Sequence, residues 1–250
     1  LKRITILSPI ETINESTFNE CISLEMVKIP STVTRIEKNA FSECRLLEEI
    51  TFPESLKFIG SYAFWGCNSL NNFVLPLNIK KIYSGSFRNC HSITEIIIPL
   101  GVKTINDYAF YNCKSLVKID IPSSVIIIGE NSFAYCASLS EIKIPSSVKK
   151  ISDGAFNGCS SLKRIEIPSS VTEIETRCFS NCNSLVEIKI PPYVTSINES
   201  AFERCLYLVE ISLPSSVKSI ESNVFRECKS LVQITIPSSV IKIEDGLFYE

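Results

Sequence analysis

A thiol, an imidazole and a hydroxyl stand side by side at Cys90, His91 and Ser92, the side-chain types from which nucleophilic catalysis is built. A working site needs the imidazole within reach of the nucleophile and a third group to orient it. His91 is the one histidine of the chain; it can serve only its own sequence neighbours, and no orienting group is marked beside it. A loop residue turned to solvent is the better expectation. Zinc fares no better, because the eleven cysteines include no Cys-x-x-Cys pair of the kind that structural sites use. The eight glycines are scattered and form no phosphate-cradling loop. No catalytic, cofactor-binding or metal-ligating residue is assigned, and an enzyme is not expected.

Charge narrows the field further. With 25 basic and 27 acidic residues and a net charge of −2, the chain has no basic footprint for a phosphate backbone, so nucleic acid is not an expected partner. Apolar residues make up 45% of the chain but come in short pulses such as Val125–Ile128. No run approaches the roughly 18 residues of a membrane-spanning helix, so no membrane span is expected in this segment. The opening Leu1–Ile6 lacks the long apolar stretch and cleavage site of a signal peptide.

The cysteines do have an order, and it belongs to the whole chain. Proline recurs every 23 residues, from Pro30, Pro53 and Pro76 to Pro214 and Pro237, with Leu7 as a degenerate first anchor. Repeats of this length signal a solenoid, in which stacked units share one core that no unit could bury alone. In the unit that begins at Pro145, apolar residues follow at Val148, Ile151, Ala155, Phe156, Cys159, Leu162, Ile165 and Ile167. The Phe position is Phe in every anchored unit, from Phe18 to Phe248. Leu162 to Ile167 alternates with period two and is rich in β-branched residues, so it reads as a short strand. Pro168 ends that strand, having no N–H to donate. Ala155, Phe156 and Cys159 share one face of a helical turn. Asp153 precedes it as a candidate cap, with Asp107, Asp245 and Ser61 at the equivalent place.

The string Leu-x-x-Ile-x-Ile-Pro-x-Ser-Val-x-x-Ile-x-x-x-Ala-Phe-x-x-Cys-x-x-Leu resembles the BspA-like, Treponema-type leucine-rich repeat over essentially the whole chain. The resemblance implies an α/β repeat solenoid: a right-handed superhelix of 23-residue rungs, with a parallel sheet on its concave face and short helical turns on the other side. Residues 1–250 are expected to form a single domain of about eleven rungs, as part of a longer array. Family members are typically surface or secreted proteins linked to adhesion. The resemblance thus implies a non-catalytic module that binds host or matrix proteins through its concave sheet, at the cell surface or secreted. The alternative is an intracellular scaffold or regulator that docks a cytosolic protein. That family often has Gly after the second Ile of the unit; here only Gly60 and Gly129 keep it, and Glu37, Glu175, Glu221 and Glu244 replace it elsewhere.

Ten of the eleven cysteines, Cys21 through Cys228, share one inward offset, and Cys178 replaces the Ala of its own rung. They are expected to be buried free thiols acting as small hydrophobes. Outward strand positions alternate in sign from rung to rung, as in Glu95, Lys118, Glu141, Arg164 and Glu187, and in Asp120, Lys143, Glu166 and Lys189. Such a ladder fixes register and keeps an exposed sheet from sticking. It fails where Val74 and Ile97 take outward positions beside Asn72 and Glu95. An apolar break in a charged sheet is a candidate centre for binding a protein. A second candidate is the aromatic group Tyr62, Trp65, Tyr108, Tyr111 and Tyr135 on the turn side, which either meets a partner or packs over the gaps between adjacent turns.

Overall fold

The computed structural model describes residues 1–71 and 73–249. The rungs build two rows of short parallel strands, and every pairing steps by one repeat, as in Arg3↔Met26 and Glu95↔Lys118. The front ladder is made of the Ile-x-Ile segments. Arg3–Thr5, Met26–Lys28 and Glu49–Thr51 pair in one group, Glu95–Ile97 and Lys118–Asp120 in a second. Arg164–Glu166, Glu187–Lys189, Glu210–Ser212 and Gln233–Thr235 form a third. The central residue of each strand points inward, as Ile50, Ile96, Ile165 and Ile188 do, and its two neighbours face out, as strand pleating requires.

A second ladder was not expected from the sequence. Two-residue strands from Thr12–Ile13 to Lys150–Ile151 pair as one run, and those from Glu173–Ile174 to Lys242–Ile243 as another. Strands this short leave no period-two signature to read. The serine of Pro-x-Ser-Val ties adjacent rungs at the bend that leads into this row. Ser124, Ser147 and Ser216 donate from Oγ to the carbonyls of Val102, Val125 and Val194 at 2.7, 2.7 and 2.6 Å. Ser147→Ala leaves the Val125 carbonyl short of a donor and is expected to cost about 1 kcal/mol, read as a lower urea midpoint.

The expected helical turns are not there: among the described residues there is no helix. The reason is the way the turn segment spends its donors. Ala155, Asn157 and Cys159 donate within the rung, to Ser152, Gly154 and Phe156 at 3.1, 2.9 and 3.1 Å. The alternate N–H groups of Gly154, Phe156 and Gly158 cross to Thr176, Cys178 and Ser180 of the next rung at 2.8, 3.0 and 2.8 Å. A helix would send all of them back four residues along its own axis. Left-handed residues recur at two places per rung, for example Tyr108 and Asn112 at φ 57° and 59°, and Gly154 and Gly158 at 59° and 72°. Single left-handed residues break any helix. The expected caps therefore have nothing to cap, and Asp107 instead accepts the N–H of Glu130 from the next rung at 2.8 Å. Gly129, retained from the family pattern, has no left-handed φ. It is needed for close approach, because a Cβ there would lie 2.7 Å from the Asp107 nitrogen.

The apolar assignment of the turn is correct in spite of this. Phe18 through Phe248 form one spine, with successive ring centroids 5.1 to 5.8 Å apart and interplanar angles of 3° to 18°, the spacing of offset-stacked aromatics. Beside it runs a row of free thiols. Nine of them, Cys44 to Cys228 at the common offset, donate to the carbonyl of the Phe one rung back: Cys90 to Phe64 at 3.1 Å, Cys136 to Phe110 and Cys159 to Phe133 at 3.2 Å. The thiol is therefore a donor as well as a small hydrophobe, which alanine could not replace. All eleven thiols are expected to react with a disulfide reagent after denaturation without reductant. In the native chain the half-buried Cys21 and Cys228 should react first, and a denatured count near one would show bridging instead.

Candidate protein-binding face

Two phenylalanines outside the spine set the geometry of the front ladder where its charges fail. Phe52 stands where other rungs have the second Ile of Ile-x-Ile, and Phe73 where they have the first. Phe52 meets Phe64 and Phe73 edge-on at 5.5 and 5.6 Å, and Phe73 stacks on Phe87 at 5.3 Å. Two rings occupy room that isoleucines fill elsewhere, and Phe73 to Leu75 form no strand between Glu49–Thr51 and Glu95–Ile97. The gap is a groove of about 630 Å³, lined by Ile50, Phe52, Glu54, Phe73, Val74 and Glu95 among others. Val74 and Glu95, singled out from the sequence, thus share one groove. Ile97 projects from the adjoining strand at 63% exposure, against 79% for Val74. Asn72 lies outside the described residues.

Two further members of this patch escaped the sequence reading. Leu77 and Leu100 directly follow the prolines of the same two rungs and are 77% and 70% exposed. Elsewhere that position is mostly serine, as in Ser123, Ser146 and Ser169. Tabulating this column beside the strand columns would have found them. Four large aliphatic side chains therefore crowd the surface of two neighbouring rungs, where a charged ladder runs on either side.

The turn aromatics form a separate cluster, and none of them lines the groove. Tyr62 lies over Gly85, where a Cβ would come within 2.4 Å of its ring, and Tyr135 covers Gly158 at 2.6 Å. The Arg88 guanidinium sits 4.6 Å from the Tyr111 ring and 5.4 Å from Tyr108. Tyr108 donates its hydroxyl to Glu130 at 2.8 Å, and that bond to the carboxylate, with burial, raises its pKa. Trp65 meets Tyr62 at 6.2 Å, and Tyr111 meets Tyr135 at 5.4 Å. Apart from Trp65–Tyr62, which lies within one rung, these contacts run between adjacent turns and favour the packing role over the interface role.

The carboxylates and the histidine have structural surroundings. Outward charges oppose in register as expected, in Glu95↔Lys118, Arg164↔Glu187 and Glu166↔Lys189, although Glu187 next meets Glu210. The close ion pairs lie elsewhere, for example Lys150–Glu175 at 3.1 Å. His91 is half-buried rather than free in solvent, with Nε2 3.2 Å from the Asn112 amide nitrogen. Burial, helped by Lys114, lowers its pKa. Among the described residues no group of acidic, Cys or His side chains is arranged to hold a metal, and no helix is long and apolar enough to cross a membrane.

Stacked parallel rungs of 23 residues sharing one apolar core define the leucine-rich-repeat class of solenoid. The chain matches the family described as BspA type leucine rich repeat region, in six copies over residues 1–117, 103–210 and 195–250, and it belongs to that family. Among solved structures it is similar to a leucine-rich repeat protein from Bacteroides ovatus ATCC 8483, at 30% identity and TM-score 0.66 over 97% of this chain and 83% of that one. A leucine rich cell surface protein from Faecalibacterium prausnitzii A2-165 is similar at 30% identity and TM-score 0.63, over 98% of this chain and 73% of that one. The leucine rich repeat protein of T. pallidum reaches 34% identity and TM-score 0.57 over 60% of this chain and 73% of that one. No curated protein matches. Membership suggests a protein-interaction module, since repeat folds of this kind typically serve as binding scaffolds without catalysis.

Proposed function

We propose that the chain is the binding module of a surface adhesin, which holds host or matrix proteins on its front ladder. The observation that carries this is the exposure of Val74, Leu77, Ile97 and Leu100 on two adjacent rungs. Contiguous apolar surface on a soluble face marks an interaction site. A surface location is supported by the Faecalibacterium relative, described as a cell surface protein. In a plate assay against a panel of purified extracellular-matrix proteins, at least one is retained. The Val74→Asp, Ile97→Asp double variant loses retention by about 30-fold or more, the scale of a hot-spot truncation of about 2 kcal/mol. Both changes point to solvent, so the fold should keep its circular dichroism and melting point. Undiminished retention by the double variant would rule this face out.

A second reading, an intracellular scaffold, is favoured by the eleven unpaired thiols, because reducing compartments keep thiols free. Their burial and their bonds to the Phe carbonyls weaken that argument. A signal segment or anchor in the full gene product would decide for the surface.

A further inference from the structure

The lining of the groove is chemically one-sided. Its floor is apolar, from Ile50, Phe52 and Phe73, with Val74 at the rim. Among the described residues its ionisable lining is Glu54 and Glu95, both exposed. Lys118 neighbours Glu95 in register but does not line the groove, and Glu54 makes none of the close ion pairs among the described residues. A groove of similar volume near Pro168 differs, because Lys143 and Lys189 stand in it with Glu166 and make its lining net positive. The surface over Phe73 therefore combines an apolar slot with a net negative rim.

We infer that this groove selects a partner segment that carries a large apolar side chain flanked by cationic ones. The apolar group packs into the slot over Phe52 and Phe73, which touch each other edge-on, and lysine or arginine side chains meet Glu54 and Glu95. Complementary charge of this kind sets which partners dock and how fast. An extended segment would present such a set on one face with the cations two residues either side of the anchor, since alternate residues share a face. The inference rests on the front ladder being the binding face, and it adds the chemistry of what binds.

The probe is a capped peptide of order Ser-Lys-Gly-Phe-Gly-Lys-Ser, compared with the same peptide carrying Glu in place of both Lys. Both are titrated into the isotopically labelled chain and followed by amide chemical shifts. The lysine peptide should shift the amides of Ile50–Phe52, Glu54, Phe73–Leu75 and Thr94–Glu95, and bind at least about tenfold more tightly than the glutamate peptide. A Glu54→Gln, Glu95→Gln variant should bring the two within about twofold of each other, whereas Glu187→Gln, Glu210→Gln should leave the preference unchanged. Equal binding of both peptides to the wild-type groove would overturn the charge preference, and so would a preference that survives Glu54→Gln, Glu95→Gln. Shifts confined to other surfaces, or none at all, would overturn the groove as its seat. Any of these results leaves the wider binding role to be judged separately, by whether Val74→Asp, Ile97→Asp abolishes retention on the matrix panel.

Discussion

Phe133→Ala is expected to lower stability by about 3–5 kcal/mol, the range for emptying a buried aromatic site. Phe133 is fully buried and stacked between Phe110 and Phe156, both at 5.6 Å. The loss combines transfer of the ring, the cavity left behind and two aromatic contacts of about 0.5–1.5 kcal/mol each. Neighbouring rungs cannot collapse into the space without breaking the hydrogen bonds between turns, such as Phe133 N–H to the Ala155 carbonyl at 2.9 Å. Phe248→Ala is the control. That ring is 49% exposed and touches the spine on one side only, so its truncation should cost a small fraction as much. Repeat arrays unfold in segments, and hydrogen exchange should place the Phe133→Ala damage in the rungs on either side. Equal urea midpoints for wild type and Phe133→Ala would refute the inward placement of this column.

The second large effect is alkaline unfolding. Burial raises the pKa of ten thiols, to about 12 for Cys136 and Cys182 among others. A folded-state pKa above the unfolded value favours the protonated thiol in the fold. The associated stability is complete below the unfolded value, here taken as 9.0, and is lost as pH climbs from there towards about 12. One pH unit into that window removes on the order of 1.4 kcal/mol per thiol. Ten thiols acting together would then remove on the order of 14 kcal/mol, comparable with the roughly 5–15 kcal/mol that holds a typical domain, so unfolding should come near pH 10. Thiolate absorbance and loss of circular dichroism should rise in one coincident step. Thiolate appearing gradually from pH 8.5 in a chain that stays folded would mean that the thiols are open to solvent.

Much of this architecture was legible because one pattern is written eleven times. The proline period fixed the rung, and the alternation in Arg164–Glu166 fixed the front strands and their outward charges. Phe156 and Cys159 were correctly placed inside because inwardness needs only the spacing of apolar side chains. The helix assigned to them failed because that spacing does not report φ. Left-handed Tyr62, Tyr108 and Arg177 carry residue types that give no warning of it. The thiol-to-carbonyl bonds were hidden for a related reason, since they join residues 26 apart whose alignment depends on the stack itself. At the candidate site, Val74 and Ile97 were visible as breaks in a charge column. Leu77 and Leu100 were missed because their column is polar by serine rather than by charge. The groove could not be foreseen at all, since it arises from the bulk of Phe52 and Phe73 at positions that look merely apolar in the sequence.

Amide hydrogen exchange of the chain, alone and with the matrix protein it retains, tests the central claim most directly. Protection should concentrate in residues 49–56, 71–77 and 94–101, the rungs that bear the groove and the four exposed aliphatic side chains. Protection confined to the turn segments of Tyr62, Tyr108 and Tyr111, with those rungs exchanging as freely as before, would contradict it.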